Sequence, residues 1–500
     1  MADSHDLRRW LEAGARAIKS ARTRLDAINV FPVPDSDTGT NLYLTLHEGN
    51  RAVARLPQTA THREVVAAFA RGALLGARGN SGVIVSQYLT TFLTGLDRHG
   101  GLGAIGPADL AQALADAADA AYGAVAEPEE GTILSVARAA AQGATDAAAA
   151  KASREDTAMG AVVAARAALV RTHDQLAAAH DAGVVDAGAA GLVLQLEALV
   201  EAIAGADALA ALPEVPWELR DGRSRVSTEG LHAHGGGAYE VMFVTHDADN
   251  IRDALTGELE TIGDSVAVTG AHDLWQAHVH TDTPYAAVHS GVAAGASQII
   301  VRHLTHGHDA DRASTGMVAL TTCPGLAEPL ADAGAVVLVV PDPTTLKRRS
   351  LRRAVKDASA EHAVVVAGHP HLRAAARELA ARRRRPALTV LDTDHEAQVI
   401  AAVAAAALLT PGQDLAEEMA HAAASVKVSS SSGDALDDDV DRMVDASTEV
   451  VSLILAAGVP DAVADAVHLS VRATAPGADV HVYRGGQHSP AVLMGVEGGA

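Results

Sequence analysis

The sequence predicts a multidomain protein in which an all-α domain is followed by a small α+β domain and then by an α/β domain. Three observations lead to this prediction. The 500 residues are too many for one hydrophobic core. Before residue 210 the apolar residues recur at helical spacing, and no segment is convincing as a strand. Beyond residue 226, short apolar and β-branched runs alternate with helical segments, which is typical of domains that contain a sheet.

The first predicted domain, residues 1–208, begins with a helix over residues 7–29, where Leu7, Leu11, Ile18 and Leu25 share one face. Further helices are expected over residues 62–77, 81–97, 107–125, 132–148, 157–179 and 188–204. The chain is 48% hydrophobic but only 3% aromatic, and alanine, the best helix former, dominates its apolar positions. We therefore expect a closely packed helical bundle or barrel with its chemistry in the loops at one end.

The second predicted domain, residues 226–305, follows a linker marked by Pro213 and Pro216. Its elements read in the order β-α-β-β-α-β, which is consistent with a small ferredoxin-like sandwich. The third domain, residues 313–500, alternates strands and helices and is expected to contain a parallel sheet. We also expect a flexible loop over residues 429–439 and a final strand pair over 467–471 and 480–483.

Charge and composition exclude several classes of protein. The chain carries 39 Lys and Arg residues against 62 Asp and Glu residues, a net charge of −23, which argues against binding to nucleic acid or to an anionic membrane. The first residues lack an apolar signal region, and no run of 18 apolar residues is present. These features predict a cytoplasmic protein without a membrane span. The single cysteine, Cys323, excludes an internal disulfide and is expected to be a buried structural thiol.

A segment near the N-terminus carries the strongest chemical signal. Residues 29–41 read Asn-Val-Phe-Pro-Val-Pro-Asp-Ser-Asp-Thr-Gly-Thr-Asn. Pro32 and Pro34 disfavour helix and make the segment stiff. Asp35 and Asp37 follow two residues apart, and their carboxylates suit Mg²⁺, which shares its remaining coordination sites with substrate phosphates. A helix N-cap turn is the alternative interpretation, because Asp and Thr are common caps.

Two weaker patterns point to ligands. The Gly79-Asn80-Ser81-Gly82 turn precedes an apolar helix, so its backbone N–H groups could approach a phosphate. A plain helix junction is the alternative, and no Walker-type Gly-x-x-x-x-Gly-Lys motif is present. His278 and His280 alternate along a predicted strand, which points both imidazoles to one face as a metal or catalytic pair requires. A polar strand face without metal is the alternative there.

Four motifs, in this order, resemble the nucleotide-binding domain that the L-type subunit of dihydroxyacetone kinase shares with the kinase subunit of bacterial fatty acid kinase. They lie at residues 29–41, 76–84, 128–134 and 185–192. Residues 239–243 and 278–281 resemble the fatty acid kinase middle domain, and residues 482–487 resemble the close of its DegV-like C-terminal domain. The resemblance is specific over the first domain and looser beyond it.

The resemblance implies ATP and Mg²⁺ as cofactors, with Asp35 and Asp37 as catalytic metal ligands. It also implies a group of residues that contact metal or nucleotide: Asn29, Thr38, Thr40, Asn41, Gly79, Asn80, Ser81, Gly82, Thr132, Asp186, Gly188 and Gly191. Helix capping is the alternative role for the threonines and for Asn41. In the middle domain, His278 and His280 would be catalytic or bind zinc, with Glu240 standing where the family has a cysteine.

By resemblance, the protein is expected to be a kinase that phosphorylates a fatty acid carboxylate presented by a separate DegV-like fatty-acid-binding protein, giving an acyl phosphate. Homodimer formation is a further expectation by analogy. The C-terminal domain departs from the family, since it is divergent and shortened and has Pro341–Thr344 where a Gly-Gly-Gln-Thr-Met-type turn is usual. A dihydroxyacetone kinase and a nucleotide-sensing regulatory protein without turnover are the two alternatives.

Overall fold

The computed structural model describes residues 2–32, 34, 36–219, 237–247, 251–271, 273–296, 298–304, 315–358, 360–382, 386–409, 413–432 and 435–498. The chain forms two compact units. Unit 1 contains Met1–Gly236 and Asp247–Val279, and unit 2 contains Gly237–His246 and His280–Ala500. The domain boundaries expected from the sequence, 1–208, 226–305 and 313–500, stay predictions.

Unit 1 is mainly helical, as predicted. Its N-terminal helices are α1 (Ala2–Ala27), α2 (Thr38–Val53), α3 (His62–Gly76), α4 (Gly79–Arg98), α5 (Pro107–Tyr122), α6 (Ile133–Ala149), α7 (Arg154–Gln175), α8 (Ala177–Ala182) and α9 (Ala187–Ala204). Later in the chain come α10 (Arg252–Glu260), the strand β2 (Asp264–Ala271) and, as far as Val279, the neighbouring strand β3 (Leu274–Thr281). One hydrophobic core joins α1 to α9.

Small residues let the helices of unit 1 approach one another closely. A Cβ atom on Gly143 of α6 would lie 2.4 Å from the carbonyl oxygen of Gly160 of α7, so only glycine fits there. Gly14 of α1 is packed in the same way against the side chain of Gln195 of α9, whose Nε2 donates to the Gly14 carbonyl at 2.9 Å. The alanine-rich composition therefore produces a tightly packed bundle, as expected.

Helix α9 is long and apolar enough to cross a membrane by length and composition, with a mean hydropathy of 1.5. However, 67% of its 18 residues are buried inside the protein, and it packs on α1 and α7. The helix therefore has the surroundings of a core helix.

The helix predicted over residues 157–179 is wrong in its C-terminal part. The helix α7 ends at Gln175, Leu176 is extended at φ −110° and ψ 115°, and the short helix α8 follows. Leu176 is buried at this turn, and Gly183 ends α8 in the left-handed conformation at φ 70°. Burial of Leu176 accounts for the break, which an alanine-rich sequence does not reveal.

Unit 2 alternates strands and helices. Its first elements are β1 (Tyr239–His246), α11 (Pro284–Ala293), β4 (Gln298–His303), β5 (Thr315–Thr321), α12 (Ala327–Asp332), β6 (Val336–Val339), α13 (Arg348–Asp357), β7 (His362–Ala367), α14 (Pro370–Arg382), β8 (Ala387–Val390) and α15 (Glu396–Ala407). Then follow α16 (Leu415–Ser425), β9 (Lys427–Ser431), α17 (Leu436–Met443), β10 (Thr448–Leu455), α18 (Asp461–Thr474), β11 (Asp479–Arg484) and β12 (Val492–Gly498).

The larger sheet of unit 2 has the order β1-β4-β6-β5-β7-β8. The strands β6, β5, β7 and β8 are parallel, which confirms the parallel sheet expected from the sequence. The strand β4 pairs antiparallel with both β1 and β6. The order β1-α10-β2-β3-α11-β4 is the predicted β-α-β-β-α-β order, while the ferredoxin-like classification stays a prediction.

A second sheet of unit 2, of order β11-β10-β12-β9, overturns two local predictions. Residues 467–471, predicted as a strand, lie in helix α18, because Ala464, Val467 and Val471 are buried at helical spacing while Leu469 is 72% exposed. Within the segment 429–439, predicted as a loop, residues 429–431 lie in β9 and residues 436–439 lie in α17, whose Leu436 and Val440 are buried.

The only cysteine has the structural role that was predicted. Cys323 is fully buried and donates through Sγ to Gln487 Oε1 at 3.4 Å. Burial, reinforced by the Glu396 carboxylate, raises the pKa of the thiol well above its usual value. A thiol held protonated in this way is a poor nucleophile.

Candidate functional site

The loop between α1 and α2 carries the first predicted motif. Asn29 and Thr38 are both buried, and Thr38 Oγ1 donates to Asn29 Oδ1 at 2.6 Å. This bond fixes the orientation of the Asn29 amide. The predicted catalytic residue Asp35 lies outside the described residues, so its metal role stays a prediction.

Asp37 occupies the N-cap position of α2, but its side chain makes no capping bond to the backbone of the helix. Instead, its Oδ1 accepts from Asn41 Nδ2 at 2.6 Å. The amide of Asn41 therefore orients a carboxylate at the start of the helix, where the helix dipole favours negative charge. This geometry disfavours simple capping as the reason for an aspartate at this position.

A third carboxylate, Asp26 at the end of α1, belongs to the same loop and was missed from the sequence. It accepts from the backbone N–H and from Oγ1 of Thr40, each at 2.8 Å. Burial raises the pKa of Asp26, the bonds from Thr40 oppose this effect, and the negative charge of Asp37 raises the pKa further. The hydrogen bond from the Thr40 hydroxyl therefore fixes the position of the Asp26 carboxylate. The only sequence signal was an acidic residue three positions before Asn29.

The second motif forms the turn from α3 into α4. Gly79 has φ +56°, and a Cβ atom there would lie 2.6 Å from Asn41 Nδ2. The backbone of Gly79 therefore packs against the side chain that orients Asp37. Among the described residues, Asn80 Oδ1 is a buried oxygen without a hydrogen-bond partner. A buried amide oxygen without a partner can coordinate a hard cation or accept a hydrogen bond from a ligand.

The N-terminus of α4 is rigidly supported. Arg78, at the N-cap position, is buried, and its Nη1 donates to the Gly76 carbonyl at 2.8 Å. Its backbone N–H donates to Thr45 Oγ1 at 3.3 Å, and a Cβ atom on Gly82 would lie 2.5 Å from the same hydroxyl. Gly82 is therefore a close-packing residue. The N–H groups of the first turn of α4 are available to an anion, as at helix N-termini generally.

The third and fourth motifs meet at Asp186. The buried carboxylate of Asp186 caps α9 by accepting from the N–H of Ala189 at 2.7 Å, and it also accepts from the N–H groups of Gly188 and Ile133. Burial raises the pKa of Asp186 to about 6 despite these bonds. The neighbouring Thr132 caps α6, since its Oγ1 accepts from the Leu134 N–H, so its hydroxyl has the capping role.

The two predicted glycines of α9 have different surroundings. A Cβ atom on Gly188 would lie 3.5 Å from Ser81 Oγ and 3.3 Å from Asp186 Oδ2. A Cβ atom on Gly191 would lie 2.4 Å from Leu42 Cδ1, so Gly191 serves the packing of α9 on α2. Gly188 thus borders the turn at the start of α4, whereas Gly191 does not.

The four motifs therefore converge within unit 1. Asn41 contacts Gly79, Ser81 lies near Gly188, and Asp186 binds the backbone of the Thr132–Ile133 helix start. Through Asn41, these contacts place the carboxylate of Asp37 beside the turn that carries the unsatisfied amide oxygen of Asn80 and begins α4. Such a set can bind a divalent cation together with a phosphate group.

The middle-region residues were predicted as a second site. Glu240 of β1 and His280 of β3 are buried, and their potential ligand atoms lie within 4.8 Å of each other. His278, also buried, precedes His280 by two residues on β3 and shares its strand face. Arg302 donates to Glu240 Oε2 from the register position opposite it on β4. The guanidinium therefore already neutralises the carboxylate that a metal would use.

The raised pKa of Asp186 makes stability depend on pH. The folded-state pKa of about 6 lies above the ordinary 3.8, so the folded protein binds this proton more tightly than the unfolded chain does. Its contribution to stability is fully present below about pH 4 and is lost as the pH rises through about 6. We expect the thermal midpoint of Asp186→Asn, relative to wild type, to rise between pH 4 and 7. A difference that is constant with pH would contradict this assignment.

Comparison with known proteins gives three matches to family models. The DAK2 domain matches residues 32–201, the middle domain of the FakA-like fatty acid kinase family matches 236–310, and the C-terminal domain of the same FakA-like family matches 426–497. These domains occur in the order that the resemblance implied. The DAK2 match covers residues 32–41 of the first motif and all of the other three.

Curated relatives match over part of their length. Protein YloV of Bacillus subtilis is 34% identical over 293 residues, which cover 56% of this chain and 52% of that protein. Uncharacterized protein SSP1546 of Staphylococcus saprophyticus is 33% identical over 287 residues, which cover 54% of this chain and 49% of that protein. The chain thus spans about half the length of the curated relatives it matches.

Among solved structures, a chain of the dihydroxyacetone kinase from C. freundii, in complex with AMP-PNP and Mg²⁺, is similar at 22% identity and a TM-score of 0.30. The match covers 38% of this chain and 33% of that chain.

Proposed function

We propose that this chain, which combines a DAK2 domain with the FakA-like middle and C-terminal domains, is an ATP- and Mg²⁺-dependent phosphotransferase. Its acceptor is a fatty acid carboxylate held by a separate DegV-like lipid-binding protein, and its product is an acyl phosphate. The observation that carries the proposal is the convergence of Asp37, Asn80 and the N-terminus of α4 in unit 1. We place the reaction in the cytoplasm.

The residues at the site fit Mg²⁺. Asp37 supplies a carboxylate and Asn80 a buried amide oxygen that lacks a hydrogen-bond partner, and oxygen donors of this kind are those that Mg²⁺ prefers. In our proposal Asp35 and Asn29, from the same motif, complete the set. Bound Mg²⁺ would neutralise phosphate charge and favour in-line transfer.

The remaining residues position the nucleotide and support the metal ligands. Backbone N–H groups of Gly79, Asn80 and Ser81 hold phosphate oxygens at the start of α4. Thr40 restrains Asp26 by two hydrogen bonds and so stabilises a second negative charge near Asp37. Asp186 fixes the start of α9 so that Gly188 stays beside Ser81. The chain thereby supplies positioning and electrostatics, which dominate catalysis of phosphoryl transfer.

In this proposal, the middle region positions the fatty acid carboxylate that accepts the phosphoryl group. Zinc at Glu240, His278 and His280 stays a prediction. Two imidazoles and a carboxylate are a workable zinc set, whereas Arg302 already binds the carboxylate of Glu240. Without zinc, the imidazoles of His278 and His280 would orient the acceptor carboxylate directly.

The test is acyl phosphate formation by the purified chain with ATP, Mg²⁺ and oleate, with and without a DegV-like lipid-binding protein from the same genome. Hydroxylamine trapping detects the acyl phosphate. We expect product only when the partner is present. ATP consumption with dihydroxyacetone, and not with any loaded partner, would instead support a hydroxy-ketone kinase. ATP binding without turnover on either acceptor would leave the nucleotide-sensing alternative.

A further inference from the structure

A cluster of two histidines and an aspartate lies in unit 1 where α7 meets α8, next to the third and fourth motifs. His173 is in the last turn of α7, Asp174 follows it, and His180 is in α8. The extended residue Leu176 interrupts the helix between the two histidines, whose imidazole rings lie 4.9 Å apart between centroids with an interplanar angle of 35°. None of these three residues was identified from the sequence, where they form a His-Asp-x₅-His pattern across a helix break.

The hydrogen bond made by His173 determines which of its nitrogens can bind a ligand. Its Nδ1 lies 3.2 Å from the carbonyl oxygen of Val184. A carbonyl only accepts, so Nδ1 carries the proton and Nε2 presents its lone pair. A backbone carbonyl on the second nitrogen is the usual outer partner of a metal-bound histidine.

The carboxylate of Asp174 lies near both imidazoles. Asp174 Oδ1 is 3.9 Å from His173 Nε2 and 3.9 Å from His180 Nδ1. These distances are too long for hydrogen bonds. The three potential ligand atoms lie within 4.8 Å of one another, whereas ligands about 2.1 Å from a tetrahedral Zn²⁺ ion lie about 3.4 Å apart. The side chains of Asp174 and His180 are 77% and 51% exposed, so both can make this small adjustment.

We propose that His173, Asp174 and His180 form a Zn²⁺ site. Two imidazole nitrogens and one carboxylate oxygen match the ligands of zinc sites that keep a fourth position for water. Imidazole disfavours Mg²⁺ and Ca²⁺, which take oxygen ligands. Because Asp174 and His180 are exposed, the ion exchanges with solvent and its occupancy follows the available zinc concentration.

Zinc at this site would restrain the backbone between the α7–α8 turn and the fourth motif. His173 holds the Val184 carbonyl, and the Val184 N–H donates to Ala179 within α8 at 3.0 Å. Asp186, two residues after Val184, is the N-cap residue of α9. A metal bridge from α7 to His180 therefore restrains α8 and the segment that leads into Asp186.

The test measures zinc binding and local amide exchange on the full chain, with Zn²⁺ alone as the ligand. We expect His180→Ala and Asp174→Asn each to bind one zinc equivalent fewer than wild type in equilibrium dialysis. With free zinc at about 100 times the Kd, peptides covering residues 177–186 should exchange up to about 100-fold more slowly in wild type and at an unchanged rate in His180→Ala.

The matched control is His99→Ala. His99 Nδ1 lies 3.4 Å from Asp109 Oδ2, and both side chains are exposed, so this pair offers a histidine and an aspartate without a second imidazole. Wild-type zinc stoichiometry in His99→Ala, with the loss confined to His180→Ala and Asp174→Asn, supports the site. Equal stoichiometry in all four proteins, or zinc protection of residues 177–186 that persists in His180→Ala, overturns it. Zinc bound at Glu240, His278 and His280 would not protect these peptides.

Discussion

Asp37→Asn is expected to lower ATP turnover by about 100- to 1,000-fold, the range seen when one well-placed electrostatic group is removed from an active site. The substitution keeps the size of the side chain and an oxygen that can accept from Asn41. It also keeps a residue that caps helices as well as aspartate does. We therefore expect thermal stability to change by no more than about 0.5 kcal/mol. Steady-state ATP consumption with Mg²⁺, oleate and the DegV-like partner, together with thermal unfolding of the same preparation, checks both expectations.

The matched control is Asp414→Asn. Asp414 is an N-cap residue whose Oδ1 accepts from the backbone N–H groups of Ala416 and Glu417 at 2.9 and 3.0 Å, so it carries out the capping that the side chain of Asp37 does not. We expect Asp414→Asn to keep wild-type turnover. Wild-type turnover in Asp37→Asn as well would show that Asp37 only starts a helix.

Gly79→Ala is expected to weaken ATP binding by at least about tenfold. At φ +56° any other residue is strained, and the added Cβ atom would lie 2.6 Å from Asn41 Nδ2. The strain alone corresponds to about 1–3 kcal/mol. Relief of the contact moves either Asn41, which orients Asp37, or the first turn of α4, which presents its N–H groups. Isothermal titration with ATP and Mg²⁺ measures the loss.

The comparison for this variant is Gly100→Ala. Gly100 lies just beyond the other end of α4, also has a positive φ of +83°, and a Cβ atom there would have its nearest neighbour, Ala104 Cβ, at 3.3 Å. The substitution introduces backbone strain of the same kind far from the motifs. We expect a lower thermal midpoint in both variants but weaker ATP binding only in Gly79→Ala. Equal affinities in the two variants would exclude the turn at Gly79 from the nucleotide site.

Much of the fold was predictable because its elements have strong periodicity. The helices α1, α3 to α7 and α9 place apolar residues at helical spacing over three or more turns, and the parallel strands of unit 2 are short apolar runs between helices. Where the spacing of apolar residues fits both a strand and a helix, the predicted element was wrong. Val467 and Val471 fit either a strand or a helix, and only burial of Ala464 on the same face reveals the helix α18.

The candidate site was predictable where local motifs suffice and not where tertiary contacts decide. Asp37, Gly79 and Asp186 stand out by their motifs. Asp26 does not, because its role depends on Thr40 reaching back across the loop. His173 and His180 come together only because Leu176 is buried at a turn. Thr132 has a capping bond and Gly191 a helix-packing contact, and their roles at the nucleotide stay predictions.

The most direct test of a Mg²⁺–nucleotide site at Asp37 is calorimetric titration of ATP into wild type and Asp37→Asn, each with and without Mg²⁺. We expect Mg²⁺ to tighten ATP binding to wild type by about tenfold or more, and to have little effect on Asp37→Asn. Equal affinities in all four titrations, or no binding to wild type with Mg²⁺ present, would contradict the assignment.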